Sequence, residues 1–144
     1  MFKYFTLEEL LESKKAVQKN IHNIPSFEVV ENLKVLTKKA LDPLRDAWGS
    51  AIDVTSGFRN KALNKAVGGS ESSVHPLGWA VDLVPRNGKV EEFFGFVVEW
   101  FTITGTGYDQ IIDERDNKGN RWVHIGLYNK QGKQRQEIRQ LLKR

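Results

Sequence analysis

Two alternating apolar runs on either side of a tight polar turn constrain this fold more than any other feature of the chain. Residues 109–114 (Asp-Gln-Ile-Ile-Asp-Glu) and 121–127 (Arg-Trp-Val-His-Ile-Gly-Leu) flank Asp116-Asn-Lys-Gly-Asn120. Period-two alternation around Asn and Gly turn residues predicts an antiparallel hairpin. Its register matters for chemistry. If Ile112 pairs with His124, then Glu114 pairs with Trp122 and shares the face of His124. A slip of one residue would put Asp113 there instead.

Helical signals come first along the chain. Thr6 and Glu9 form a capping box that opens a short helix through about residue 13, followed by a polar link over 19–25. Ser26 reads as the cap of a longer helix carrying Val29, Leu33, Leu36 and Ala40, kinked or restarted at Pro43 and ended near Trp48-Gly49. Short strands are expected at 52–55 and 79–84, with two helical turns at 59–67 stopped by Gly68-Gly69. Residues 89–101 predict a helix apolar around most of its surface, and the tail from Lys133 a basic helix. Helices first and strands mixed with helices later predict an α+β fold, with N-terminal helices packed on a small antiparallel sheet. With 144 residues, of which 40% are hydrophobic, the chain is expected to form one domain over 1–144. Residues 1–24 would be a helical extension and 130–144 a basic tail.

The absence of cysteine excludes disulfides, thiolate metal sites and cysteine nucleophiles. Any metal must therefore be held by carboxylates and by the three histidines. His22 sits in a polar link and reads as a surface residue. His75 lies in a loop, in Ser73-Val-His-Pro-Leu-Gly-Trp-Ala-Val-Asp82, and His124 in the second hairpin strand. Asp82 interrupts an apolar strand, where a charge is expensive unless paired or bound to a metal. Two histidines, a carboxylate and a water can make an open, catalytic type of zinc site. Taken singly, each of these residues is more often a packed histidine or a capping carboxylate.

Together the motifs say more. Ser56-Gly-Phe-Arg59, Asn64, Val67-Gly-Gly69, the Ser-x-His-x-x-Gly-x-Ala-x-Asp pattern of Ser73 to Asp82, and Trp122-x-His124 occur in this order. The set resembles the zinc D-Ala-D-Ala carboxypeptidase and L-alanyl-D-glutamate endopeptidase family, which shares the hedgehog/D,D-peptidase fold. The likeness covers about residues 25 to 128, and Asn32-Leu33 and Asp42-Pro43-Leu44-Arg45 are similar to its small phage and bacterial members. It implies that His75, Asp82 and His124 bind zinc, one ion per chain, and that Arg59 faces the substrate. Zinc acidifies water and polarises a carbonyl, and a guanidinium aimed at the developing oxyanion would add to its stabilisation. Ser73 would contact substrate or orient the His75 loop, Gln110 would be a polar site residue, and Trp122 would line the substrate groove. Many members carry an acid or a histidine three residues before the second zinc histidine. Here that residue is Arg121, which cannot accept a proton. Glu114 is then the expected general base, with Asp113 as the alternative, because Asp109-Gln-Ile-Ile-x-Glu114 before Trp-x-His is similar to the small-member pattern.

The expected substrate class is peptidoglycan stem peptides, and the expected state a monomer. The main rival is a zinc-holding but inactive domain that binds wall peptides or a protein partner, its base lost at Arg121. A nucleic-acid binder is the weakest rival, since only the basic balance suggests it. Net charge is +4, and residues 130–144 alone carry +5 (six basic residues and Glu137), which suits an anionic wall. No apolar stretch approaches the roughly 20 residues of a spanning helix, so no integral membrane association is expected. Acidic residues Glu8 and Glu9 precede any signal-peptide core, so synthesis in the cytosol and release by a holin are expected.

Overall fold

The computed structural model describes residues 2–143. The capping box at Thr6 is formed: the Glu9 amide donates to Thr6 Oγ1 at 3.1 Å, and the Thr6 amide donates to Glu9 Oε1 at 3.2 Å. It opens α1 (Leu7–Leu11), and a further short helix, α2 (Lys14–Gln18), follows under a Ser13 cap. Ser26 caps α3 (Phe27–Leu36), which buries Val29, Leu33 and Leu36 as the spacing predicts. Pro43 has no amide to offer the preceding turn. The chain widens there into a π-helical turn (Thr37–Leu41), in which Asp42 N–H donates to the Thr37 carbonyl, and continues as α4 (Asp42–Trp48).

The remaining elements are β1 (Ile52–Ser56), α5 (Lys61–Ala66), a 3₁₀ turn (His75–Leu77), β2 (Ala80–Pro85), α6 (Val90–Thr104), β3 (Gln110–Asp116), β4 (Arg121–Gly126) and β5 (Glu137–Lys143). They complete an α+β fold with one five-stranded sheet in the order β1-β2-β4-β3-β5. Hairpin β3–β4 has the register Ile112↔His124 and Glu114↔Trp122. One sheet face is apolar: Val81, Leu83, Ile111, Val123 and Ile125 are fully buried in the cluster that takes in Phe93, Val97 and Phe101 of α6. That helix buries one stripe rather than most of its surface, and Ile103 is 74% exposed. Phe5 and Leu10 belong to the same cluster, so the N-terminal residues help close the core.

The tail departs from expectation. Residues 137–143 are not a helix but a strand, which pairs in parallel with β3 (Ile112↔Arg139, Glu114↔Leu141) and makes the otherwise antiparallel sheet mixed. Local spacing of Ile138, Leu141 and Leu142 reads as helical, yet the edge of β3 offers unpaired backbone groups that a strand satisfies. A specific clasp starts the pairing. Arg135 donates from Nε and Nη2 to the two oxygens of Asp109 at 2.8 and 2.9 Å, and its amide donates to Oδ1 at 3.0 Å. Gln136, at φ 55°, then turns the chain into the strand. No helix among the described residues is long and apolar enough to cross a membrane.

Candidate metal centre

The sheet face opposite α6 gathers the chemistry. Register pairs Asp82 with His124 across β2 and β4, and His124 with Ile112 across β4 and β3, so all three side chains share one face. His75 reaches the same place from the 3₁₀ turn. Its Nδ1–H donates to the Gly57 carbonyl at 2.6 Å, which leaves the Nε2 lone pair directed at Asp82 Oδ1, 3.5 Å away. On the other side of that oxygen lies His124 Nδ1, at 2.9 Å. The three residues are buried, and a ligand atom from each lies within 4.8 Å of the others. Tetrahedral zinc with bonds of about 2.0–2.1 Å has ligand–ligand edges of about 3.3–3.4 Å. The two observed separations bracket that value, and two imidazoles with one carboxylate are a zinc donor set.

Electrostatics keep His75 and Asp82 in the protonation states a metal needs. Burial lowers the pKa of His75, against the pull of Asp82, so the ring stays neutral at physiological pH. Burial alone would raise the Asp82 carboxyl. The two histidines outweigh it, through charge and hydrogen bonds, and hold it well below the usual carboxylate range. A neutral imidazole and an ionised carboxylate bind metal without first shedding a proton.

Two glycines set the loop positions. Gly78, at φ 78°, ends the 3₁₀ turn so tightly that an added Cβ would stand 2.8 Å from the Val29 carbonyl oxygen. Gly57, whose carbonyl orients His75, lies against α1, where a Cβ would meet the Leu10 oxygen at 2.2 Å. Gly57→Ala is therefore expected to cost about 1–3 kcal/mol, a fall in Tm of roughly 2–10 °C, and to weaken zinc binding through His75. Thermal unfolding with and without zinc checks this. A variant unchanged in both would show that the α1 contact does not hold the loop.

Arg59 precedes α5, whose N-cap is Asn60. A bulge between Val54 and Ser56 turns Ser56 onto the metal face opposite Asp82, and Ser56 Oγ accepts from Arg59 Nη1 at 3.3 Å. Burial lowers the Arg59 pKa, while the charges of Asp82 and Glu114 raise it. Arg59 Nε is buried without a hydrogen-bond partner. The Asn23 carboxamide clasps the chain on either side of Arg59. It donates to the Phe58 carbonyl at 2.9 Å and accepts from the Asn60 amide at 2.8 Å. No motif marks Asn23, because its partners lie 35 and 37 residues away in the chain.

Glu114 lies on the metal face, 3% exposed, with Oε1 3.6 Å from His124 Nδ1. Asp113 and Arg121 lie on the opposite face, where Arg121 Nε and Nη2 donate to the two Asp113 oxygens at 2.9 and 2.7 Å. Three residues along a strand reverse the facing, so Arg121 does not enter the site. Arg59, Ser73, Gln110, Glu114 and the two histidines line one cleft of about 360 Å³. Ser73 Oγ accepts from the His75 amide at 3.2 Å, and Gln110 Nε2 donates to Glu137 Oε1 at 2.9 Å. Trp122 shares the face but is not among the cleft-lining residues, and its Nε1 is buried without a partner. His22 is exposed and apart from the site.

Compared with models of protein families, the chain matches the family described as Peptidase M15 over residues 3–126. No curated protein matches it.

Proposed function

The chain belongs to the peptidase M15 family, and from that premise we propose that it hydrolyses peptide bonds in peptidoglycan stem peptides. It would do so as a zinc D,D-carboxypeptidase or an L-Ala-D-Glu type endopeptidase, with residues 1–144 as one peptidase domain. The observation that carries this reading is the convergence of His75, Asp82 and His124 within 4.8 Å, with Glu114 on the same face. These three residues would hold the ion. A bound zinc supplies Lewis acidity, lowering the pKa of water and polarising the scissile carbonyl.

The chain's own groups divide the remaining work. Glu114 Oε1 takes the proton that the attacking water gives up and returns it to the amine nitrogen as the C–N bond breaks. Arg59 directs its guanidinium at the carbonyl oxygen as negative charge builds there. Ser73 holds the His75 loop, and Gln110 presents a polar wall that Glu137 keeps in place. The inactive alternative rests on Arg121. That side chain pairs with Asp113 on the other face, which favours the active reading. Likeness of Asn32-Leu33 and Asp42-Pro43-Leu44-Arg45 to small phage and bacterial members supports a lysin as the biological setting, released to the wall by a holin.

The test is mass spectrometry of purified muropeptides incubated with the zinc-loaded protein. Loss of one terminal D-Ala identifies a carboxypeptidase, and scission after L-Ala an endopeptidase. Muropeptides left intact by a zinc-replete protein would overturn the reading.

A further inference from the structure

We propose that Arg139, on the C-terminal strand β5, recognises a substrate carboxylate in the metal cleft. The proposal rests on the peptidase reading and adds a specificity residue to it, from a segment beyond the family match over 3–126. The registers make one transverse row on the metal face: Asp82, His124, Ile112, Arg139. Strands lie about 4.8 Å apart, so the Arg139 backbone is about 10 Å from that of His124. Its side chain lines the same cleft as Arg59, Glu114 and the two histidines.

Its charge is unspent, unlike that of its neighbours. Arg135 is engaged by Asp109 and Glu137, and Lys130 Nζ donates to the Glu71 carbonyl. Arg59 donates to Ser56 and feels the charges of Asp82 and Glu114. The Arg139 side chain makes no hydrogen bond or ion pair with another described residue. It is exposed, yet it stands on a strand that the Asp109–Arg135 clasp and the Gln110–Glu137 bond fasten at its start. A guanidinium fork on a fixed strand is suited to bidentate carboxylate binding. Residues of an extended peptide span at most about 3.3–3.6 Å each, so the group it meets lies within a residue or two of the scissile bond. Both candidate substrates carry a carboxylate there: a terminal D-Ala, or the free carboxyl of D-Glu.

The test is equilibrium binding by calorimetry, using the full chain both metal-free and zinc-loaded. The probes are a peptide ending in D-Ala-D-Ala and one containing L-Ala-γ-D-Glu, each as the free acid and as the amide. Wild type is expected to prefer one acid over its amide by about tenfold, and the preferred peptide identifies the carboxylate. Arg139→Ala should remove that preference, Arg139→Lys should restore part of it, and zinc content should not change. A preference that survives in Arg139→Ala, or its absence from wild type, overturns the proposal. Turnover of muropeptides is scored separately. A preference that depends on Arg139 without turnover would sink the peptidase reading and keep the subsite, while turnover without such a preference would do the reverse.

Discussion

Glu114→Gln is expected to retain zinc and to lower kcat by about 10²–10⁴-fold, the range a positioned general base contributes. Glutamine keeps the shape of a side chain that is 3% exposed, so packing on the metal face is preserved. What it loses is the ability to take and return a proton. His75, Asp82 and His124 are untouched, so the metal stays. Asp113→Asn is the contrasting variant. Asp113 sits on the helix side in a bidentate pair with Arg121, so its replacement should lower stability and leave turnover per folded molecule unchanged. Full kcat in zinc-replete Glu114→Gln, measured on muropeptides, would place the base elsewhere.

Arg59→Ala is expected to lower kcat and kcat/KM together by about 10²–10³-fold, the cost of removing one oxyanion donor. Among the described residues the guanidinium makes one hydrogen bond, to Ser56, and its buried Nε makes none. It thus keeps donors for a charge that appears only during reaction. Arg59→Lys should recover little, because an ammonium lacks the planar fork. A variant with raised KM and unchanged kcat would instead assign Arg59 to holding the bound substrate.

Local patterns and the family likeness together made the candidate site largely legible in the sequence. Alternation and turn chemistry give the hairpin but leave two registers open; the family likeness favours Glu114 over Asp113, and the observed pairing carries Glu114 to the face of His124. The charge of Asp82 in an apolar strand marked the position that lies between the two imidazoles. Features that depend on distant partners were not legible. Ile138, Leu141 and Leu142 have helical spacing, and only the open edge of β3, with Asp109 waiting for Arg135, makes that segment a strand. Arg139 could not be placed beside the metal face without that pairing. Asn23 likewise acts on Phe58 and Asn60, and nothing within its own neighbourhood marks it as the residue that fixes the Arg59 loop.

The most direct measurement is the metal content of the purified protein by mass spectrometry, on wild type and on His124→Ala in parallel. About one zinc per wild-type chain, lost when the His124 imidazole is removed, is the predicted result. A folded wild-type protein that holds no zinc and takes up none when it is supplied would contradict the account at its centre.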